Sequence, residues 1–480
     1  MTVVINGTTG ISPVTAAGTS ALVDGMTVGR GAGAVSTNTA VGASALASNS
    51  TGANSAVLGY QAGYKNTASN VTMLGASAGY NNTSGADNTF NGYASGYSNS
   101  TGSYNTAFGS NALLSNTTAS NNTAVGYQSL YTNTTGSYLT SVGWQSLYSN
   151  TTGVENVAMG RYTLGSNTTG GYNVAVGNQA LINNTTASDN TAVGYQAAYT
   201  NTTGADNTAV GYLSLYSNST GSNNVAVGRR ALYSTTVDGN TGVGHRALDG
   251  TTTGTGNVAV GYNAGYTNTT GANNTALGYQ SLQANTTASN NTAVGYQAGY
   301  SITTGGDNIC VGYLSGQSVT ATTTGSQNIY IGDYSHGSAN NNTQEIVLGY
   351  NSAGKGSSTA YVRGDSGVYN SGNSATWSIT SDQRIKKNTV DLAEGLSKIL
   401  ALRAVEFDYK ENDKHEIGFI AQEYQQVLPD QIITHDANEA EKEWVGEDKV
   451  LAIQQTLVPY LVKAIQELKA EFDAYKATHP

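Results

Sequence analysis

Asn207-Thr208-Ala209-Val210-Gly211-Tyr212-Leu213-Ser214-Leu215-Tyr216-Ser217-Asn218-Ser219-Thr220-Gly221-Ser222-Asn223 is one copy of a pattern that fills most of this chain. Its marker is the glycine after a short triplet. That glycine falls at Gly109, Gly126, Gly143, Gly160, Gly177, Gly194, Gly211 and Gly228, always 17 residues apart. The series runs back to Gly42 and forward to Gly349, giving 19 units. Positions one and three before the glycine are often both apolar, as in Val174 and Val176, with a small residue between them. Such period-2 alternation predicts a short strand with one buried face, about two apolar residues per strand pointing inward. The Asn-Thr-Thr-Gly clusters between triplets are turn chemistry. No 3.6-residue stripe survives these turn signals, so helix is excluded from the repeat.

One strand and one turn cannot bury a core alone, whereas stacked copies can. The fold class expected is therefore mostly β, a parallel β-solenoid or β-roll shaft over 31–350. At about 4.8 Å per coil, 19 coils span on the order of 90 Å. A coil this thin buries little, so three chains are expected to associate and share a core. Residues 1–30 are irregular and suit an attachment or capping segment, and 351–380 read as a Gly/Ser-rich connector.

Bulk composition supports this reading. The chain has 480 residues, 60 of them Gly, 32 Tyr and only 4 Pro, with 10% charged residues. That charge content is far below the roughly 25% of ordinary globular chains. The net charge of -10 argues against a nucleic-acid partner, because a phosphate-binding face needs clustered Lys or Arg. The lone Cys310 allows no intrachain disulfide and reads as a small core hydrophobe. The start, Met1 to Gly7, lacks the basic region of a secretion signal, and no apolar run is long enough for a membrane span. No metal or cofactor motif is present; Asp189, Asp206 and Asp307 do not reach the density of a calcium site. The shaft is too poor in acids for a glycosidase carboxylate pair.

Charge divides the chain sharply. Residues 381–480 hold 12 of the 20 Lys+Arg and 19 of the 30 Asp+Glu. This segment opens with Ser381-Asp382-Gln383-Arg384-Ile385-Lys386-Lys387 and continues through Gly418-Phe419-Ile420-Ala421-Gln422-Glu423. It closes with a helix expected over about 454–476. There Val458, Leu461, Ile465, Leu468, Phe472 and Tyr475 follow one another in steps of three and four, an a/d seam.

These three motifs, in this order, resemble the intramolecular chaperone domain of the endosialidase type, the peptidase S74 domain. The triplet-glycine repeat resembles the head repeats of trimeric autotransporter adhesins, which build a trimeric parallel β-roll. The first resemblance implies an α+β domain over 381–480 at the end of a phage tail fibre or tailspike. It implies that the domain trimerises the chain, helps the upstream β-structure fold, and cuts the bond between Thr380 and Ser381. It places a Ser/Lys dyad on Ser381 and Lys386. A serine hydroxyl needs a base, and a lysine serves when its pKa is lowered by burial or cationic neighbours such as Arg384 and Lys387. On local sequence alone, Ser381-Asp382 reads as a turn or helix cap. His415 and His435 sit in charged stretches and read as surface residues.

Partners follow from the same resemblance: a homotrimer, other tail or baseplate proteins through the N-terminus, and a host surface glycan or protein receptor. The implied location is the virion tail. In the shaft, Tyr recurs one and five positions after the glycine. Tyr127, Trp144, Tyr195, Tyr212 and Tyr262 occupy the first row, either as glycan contacts or as ladders that stabilise the coil. Arg229, Arg230 and Arg246 form a small basic exception. Competing readings are a bacterial surface adhesin, an ice-binding solenoid and a polysaccharide-depolymerase tailspike.

Overall fold

A computed structural model describes residues 20–23, 26–317, 323–354, 356–363, 390–408, 415–436, 442–443, 447–453 and 457–479. It divides into two units, Met1–Gln327 and Asn328–Pro480.

In the first unit, three-residue strands stack in parallel from Thr39–Val41 to Ile309–Val311. Each coil contributes one strand, and the register is strict: Thr208 pairs with Val225, Ala209 with Ala226 and Val210 with Val227. The expected solenoid is thus present. An antiparallel hairpin, Ser20–Val23 with Met26–Gly29, pairs through Met26–Gly29 with Thr39–Val41. It covers the edge that the first coil would otherwise leave open.

The strand faces are the reverse of the expected ones. The middle residue of the triplet is buried, whereas its two neighbours face outward. Ala209, Ala226 and Ala259 are fully enclosed, while Val174 and Val258 are exposed. The cause is space. The coil interior already holds the leucine four positions after the glycine, such as Leu215 and Leu232. Only a small side chain fits opposite it. Where the inward triplet residue is large, the leucine is replaced: Met73 is followed by Gly79 and Phe90 by Gly96. A Cβ at either glycine would lie 2.6 Å from the larger side chain. Interiors packed to crystal-like density enforce such volume exchange. Cys310 occupies the inward triplet position, fully buried, and burial pushes its thiol up to about 12.

The marker glycine has a steric reason. Gly211 has φ +135°, and a Cβ there would lie 2.5 Å from the carbonyl oxygen of Gly228 in the next coil. Consecutive backbones touch at this corner, so no side chain is admitted.

Two buried asparagine ladders run beside the strand. In one, Asn167 donates to Asn150 at 2.8 Å and Asn150 to Asn133 at 2.8 Å, and each also closes its own turn, as Asn150 does on the Gly153 carbonyl. In the other, Asn207 accepts from the backbone N–H of Asn224 and donates to the Gly221 carbonyl. The sequence reading gave these residues turn chemistry alone. They also satisfy polar groups that a narrow coil cannot expose to water.

In the second unit, Ile329–Ile331, Ile346–Leu348 and Ala360–Val362 pair in parallel. Glu345 takes the asparagine-ladder position there. Its N–H donates to Asn328, while its carboxylate accepts from Asn342 and from the N–H of Gly356. The C-terminal segment is α+β. It comprises helix α1 (Leu396–Ala401), a hairpin of Val405–Asp408 with His415–Gly418, and helix α2 (Ala421–Val427). A second antiparallel pair, Ile432–Asp436 with Lys449–Ile453, and the 22-residue helix α3 (Leu457–Thr478) complete it. No helix among the described residues is long and apolar enough to cross a membrane.

Candidate functional site

Thr380, Ser381 and Lys386, with Arg384 and Lys387, lie outside the described residues. What the structure gives is the frame that follows them. α1 packs on α3 so closely that a Cβ on Gly395 would lie 2.4 Å from the backbone nitrogen of Ala464. At this crossing the Glu467 carboxylate accepts the N–H groups of Leu396 at 2.6 Å and Gly395 at 3.1 Å. It thereby satisfies two open donors at the start of α1. The Leu396 N–H is the main reason that the Glu467 carboxyl sits below its usual range.

The Gly418–Glu423 motif runs from the end of the hairpin into α2. Phe419 meets Tyr424 edge-on at 5.4 Å, and Tyr424 and Leu428 are buried. Burial pushes the Tyr424 hydroxyl up. Glu423 takes both forks of Arg403, at 3.0 and 2.5 Å; the Arg403 hydrogen bond holds its carboxyl low. The pair is solvent-exposed, so its role is to orient rather than to stabilise. Phe407, Glu416, Ile417, Phe419, Tyr424 and Val458 are among the residues that line an open cleft of mixed polar and apolar character. On α3 only Ala464 is buried, and the seam from Val458 to Tyr475 faces solvent within one chain. His415 lies on Asp408 at 2.8 Å at the surface; the His435 side chain is outside the described set.

In the shaft, the tyrosine rows stack. Tyr195 and Tyr212 have ring centroids 5.4 Å apart, and Tyr262 lies between His245 at 4.9 Å and Tyr279 at 5.1 Å. Tyr127 stacks on Trp144 at 6.3 Å, and Trp144 meets Tyr162 edge-on. The second row does the same, as in Tyr199, Tyr216 and Tyr233 at 5.1 Å steps. Ring faces within a ladder are thus taken by neighbours. Arg161 interrupts the first row over Trp144, and Arg229 does so over Tyr212. The Arg229 guanidinium donates to His245 Nε2 at 3.1 Å. Arg230 and Arg246 are drawn instead to Asp249, which is nearly buried and stands where the second row would carry tyrosine. Asp249 and His245 went unnamed in the sequence reading, which singled out the arginines; they stand in two columns that are mostly, though not throughout, aromatic. Among the described residues no His/Cys/Asp/Glu group is arranged to hold a metal ion.

A family model described as Peptidase_S74, chaperone of endosialidase, matches residues 381–433. The match covers the first two of the three motifs and stops short of α3. No curated protein and no solved structure matches the chain.

Proposed function

We propose that this chain is the host-attachment fibre of a phage tail, assembled as a homotrimer by its C-terminal domain, which then releases itself before Ser381. One observation carries the reading: a β-solenoid shaft precedes a peptidase S74 chaperone domain in the same chain. That domain implies a role in trimerisation and folding of the shaft. A shaft of stacked coils needs such help, because each coil is stable only on a formed neighbour and non-local pairing is slow. The exposed apolar seam of α3 supports a clamp between copies.

Release is a single event per chain. The Ser381 hydroxyl attacks the Thr380 carbonyl, and Lys386 takes the hydroxyl proton. The Thr380–Ser381 amide breaks as an ester to the Ser381 oxygen forms, freeing the Ser381 amine. Water then hydrolyses the ester, leaving a Thr380 carboxylate. A glycan or protein on the host surface is the receptor.

The test is the mass of the full-length product under denaturing conditions beside Ser381→Ala. Wild type is expected to split into 1–380 and 381–480 while the variant stays whole. A wild type that stays whole after native folding makes the domain a retained clamp and Ser381 a turn residue.

A further inference from the structure

The strand face of the first unit carries a pattern that one chain cannot use. Of its two outward positions, the one just before the marker glycine is aliphatic in nearly every coil, from Leu58 and Leu74 through Met159 to Leu277, while the one three before it is threonine in most coils and valine in others, such as Val174 and Val258. Seventeen coils at about 4.8 Å, with a face about 15 Å wide, give on the order of 1,200 Å², roughly half of it the aliphatic row. A standard interface needs about 800 Å² per partner, and soluble monomers rarely expose an apolar patch above a few hundred. Only a partner with the same repeat matches such a stripe coil for coil, and the partner with that repeat is a second copy of this chain.

The two rims of this face are complementary. One rim lies five residues before the marker glycine, the other one residue after it. Between Gly59 and Gly349 the five cations are Lys65, Arg161, Arg229, Arg230 and Arg246. Arg161 and Arg229 lie on the post-glycine rim, whereas Arg230 and Arg246, one residue further on, pair with Asp249 of their own chain. Of the acids in the same span, Asp87, Glu155, Asp189, Asp206 and Asp307 lie on the opposite rim and Asp238 beside it, Asp249 and Glu345 lie on neither, and Asp333 lies on the post-glycine rim. Size is matched as well. Where the acidic rim carries Tyr104 or Tyr172, the residue level with it is Ser110 or Asn178. Where the other rim carries Tyr195 or Tyr212, the level residue is Asp189 or Asp206. Tyr138 opposite Trp144 is the exception. Level rim residues are six apart in the chain, up to about 20 Å across an extended face, so they do not meet within one copy. Glu155 and Arg161 are both exposed, and Glu155 has no ion-pair partner among the described residues.

We propose that copies associate in register and head to tail around a closed ring. The aliphatic strand faces turn inward, and the post-glycine rim of each copy seats on the acidic rim of the next. Arg161 then meets Glu155 of the next copy. Arg229 falls level with Asn223 of that copy, within one coil, about 4.8 Å, of Asp206 and Asp238. A cyclic arrangement of this kind is heterologous: each seam joins two different rims. The inference rests on the homotrimer reading above and adds which surfaces meet and in which register.

The test uses the full-length chain carrying Cys310→Ala, the residue most coils have at that position. Glu155→Cys and Arg161→Cys are added singly and together, and the proteins are treated with a short bis-maleimide. The double variant is expected to yield covalent dimers and trimers on a denaturing gel, while each single variant stays monomeric, because identical residues lie on different seams. In the native Cys310 background, Arg161→Glu is expected to lower the trimer fraction several-fold in sedimentation, and adding Glu155→Arg to restore it. A trimer by sedimentation without double-variant crosslinks, or without charge-swap rescue, overturns the face assignment and leaves the trimer standing. A monomeric sedimentation mass overturns both.

Discussion

Replacing Asn150 by alanine tests the claim that buried amide ladders hold the shaft together. Asn150 donates to Asn133 at 2.8 Å and to the Gly153 carbonyl at 3.0 Å, and accepts from Asn167 at 2.8 Å. Three net hydrogen bonds at about 1 kcal/mol each give roughly 3 kcal/mol. The Asn133 oxygen and the Gly153 carbonyl are left buried without that donor, which raises the cost toward about 5 kcal/mol. Neighbouring coils carry each other's stability, so the loss is felt locally as coil opening. Backbone amide exchange reads it directly: Thr134 donates to Thr151 and Thr151 to Thr168 across this site. At about 1.4 kcal/mol per tenfold, exchange at these amides is expected to accelerate by at least about a hundredfold. Thr152→Ala, an exposed position within the same turn, is the control and is expected to change stability by less than about 0.5 kcal/mol. Equal exchange in the two variants would refute the ladder as a source of stability.

Two further outcomes follow from the packing and the C-terminal frame. Ala209→Leu forces a large side chain into a filled interior beside Leu215 and is expected to cost about 1–3 kcal/mol; an unchanged melting temperature would place Ala209 outside the coil. Glu467 has a folded pKa below its unfolded value, so its contribution is present above about pH 4.3 and is lost as pH falls through the lower folded value. Acid is therefore expected to release the Leu396 amide to exchange in wild type, and Glu467→Gln to show fast exchange at both neutral and acid pH.

Much of the architecture was legible because one sterically forced residue repeats. Gly211 and its equivalents are fixed by a backbone contact between coils, so their spacing reports coil length directly. The asparagine ladders were less legible. Asn is a common turn residue, and nothing in a single unit separates an amide that caps a turn from one that spans to the next coil. The distinction lies in the 17-residue recurrence of Asn133, Asn150 and Asn167, which keeps their amides in register. Asp249 was invisible for a related reason. Its meaning comes from Arg230 and Arg246 on successive coils, 19 residues before it and three before it.

The reversed strand faces have a deeper cause. Period-2 alternation states that two sets of side chains point opposite ways, but not which set points into its own chain. The usual rule sends the more apolar set inward, and it fails when a second surface also becomes buried. Here the interior of one coil admits alanine against leucine and has no room for more. The valines and leucines on the other side are then too many for a water-facing surface and too regular to be incidental. A triplet with alanine inside and valine outside fits the assembly proposed above, in which one face is buried by its own coil and the other would be covered by a second copy. Parallel strands covered on both sides read as continuous apolar runs for this reason. The Val-Ala-Val triplets at 174–176, 225–227 and 258–260 are such runs, cut to the three residues a narrow coil provides.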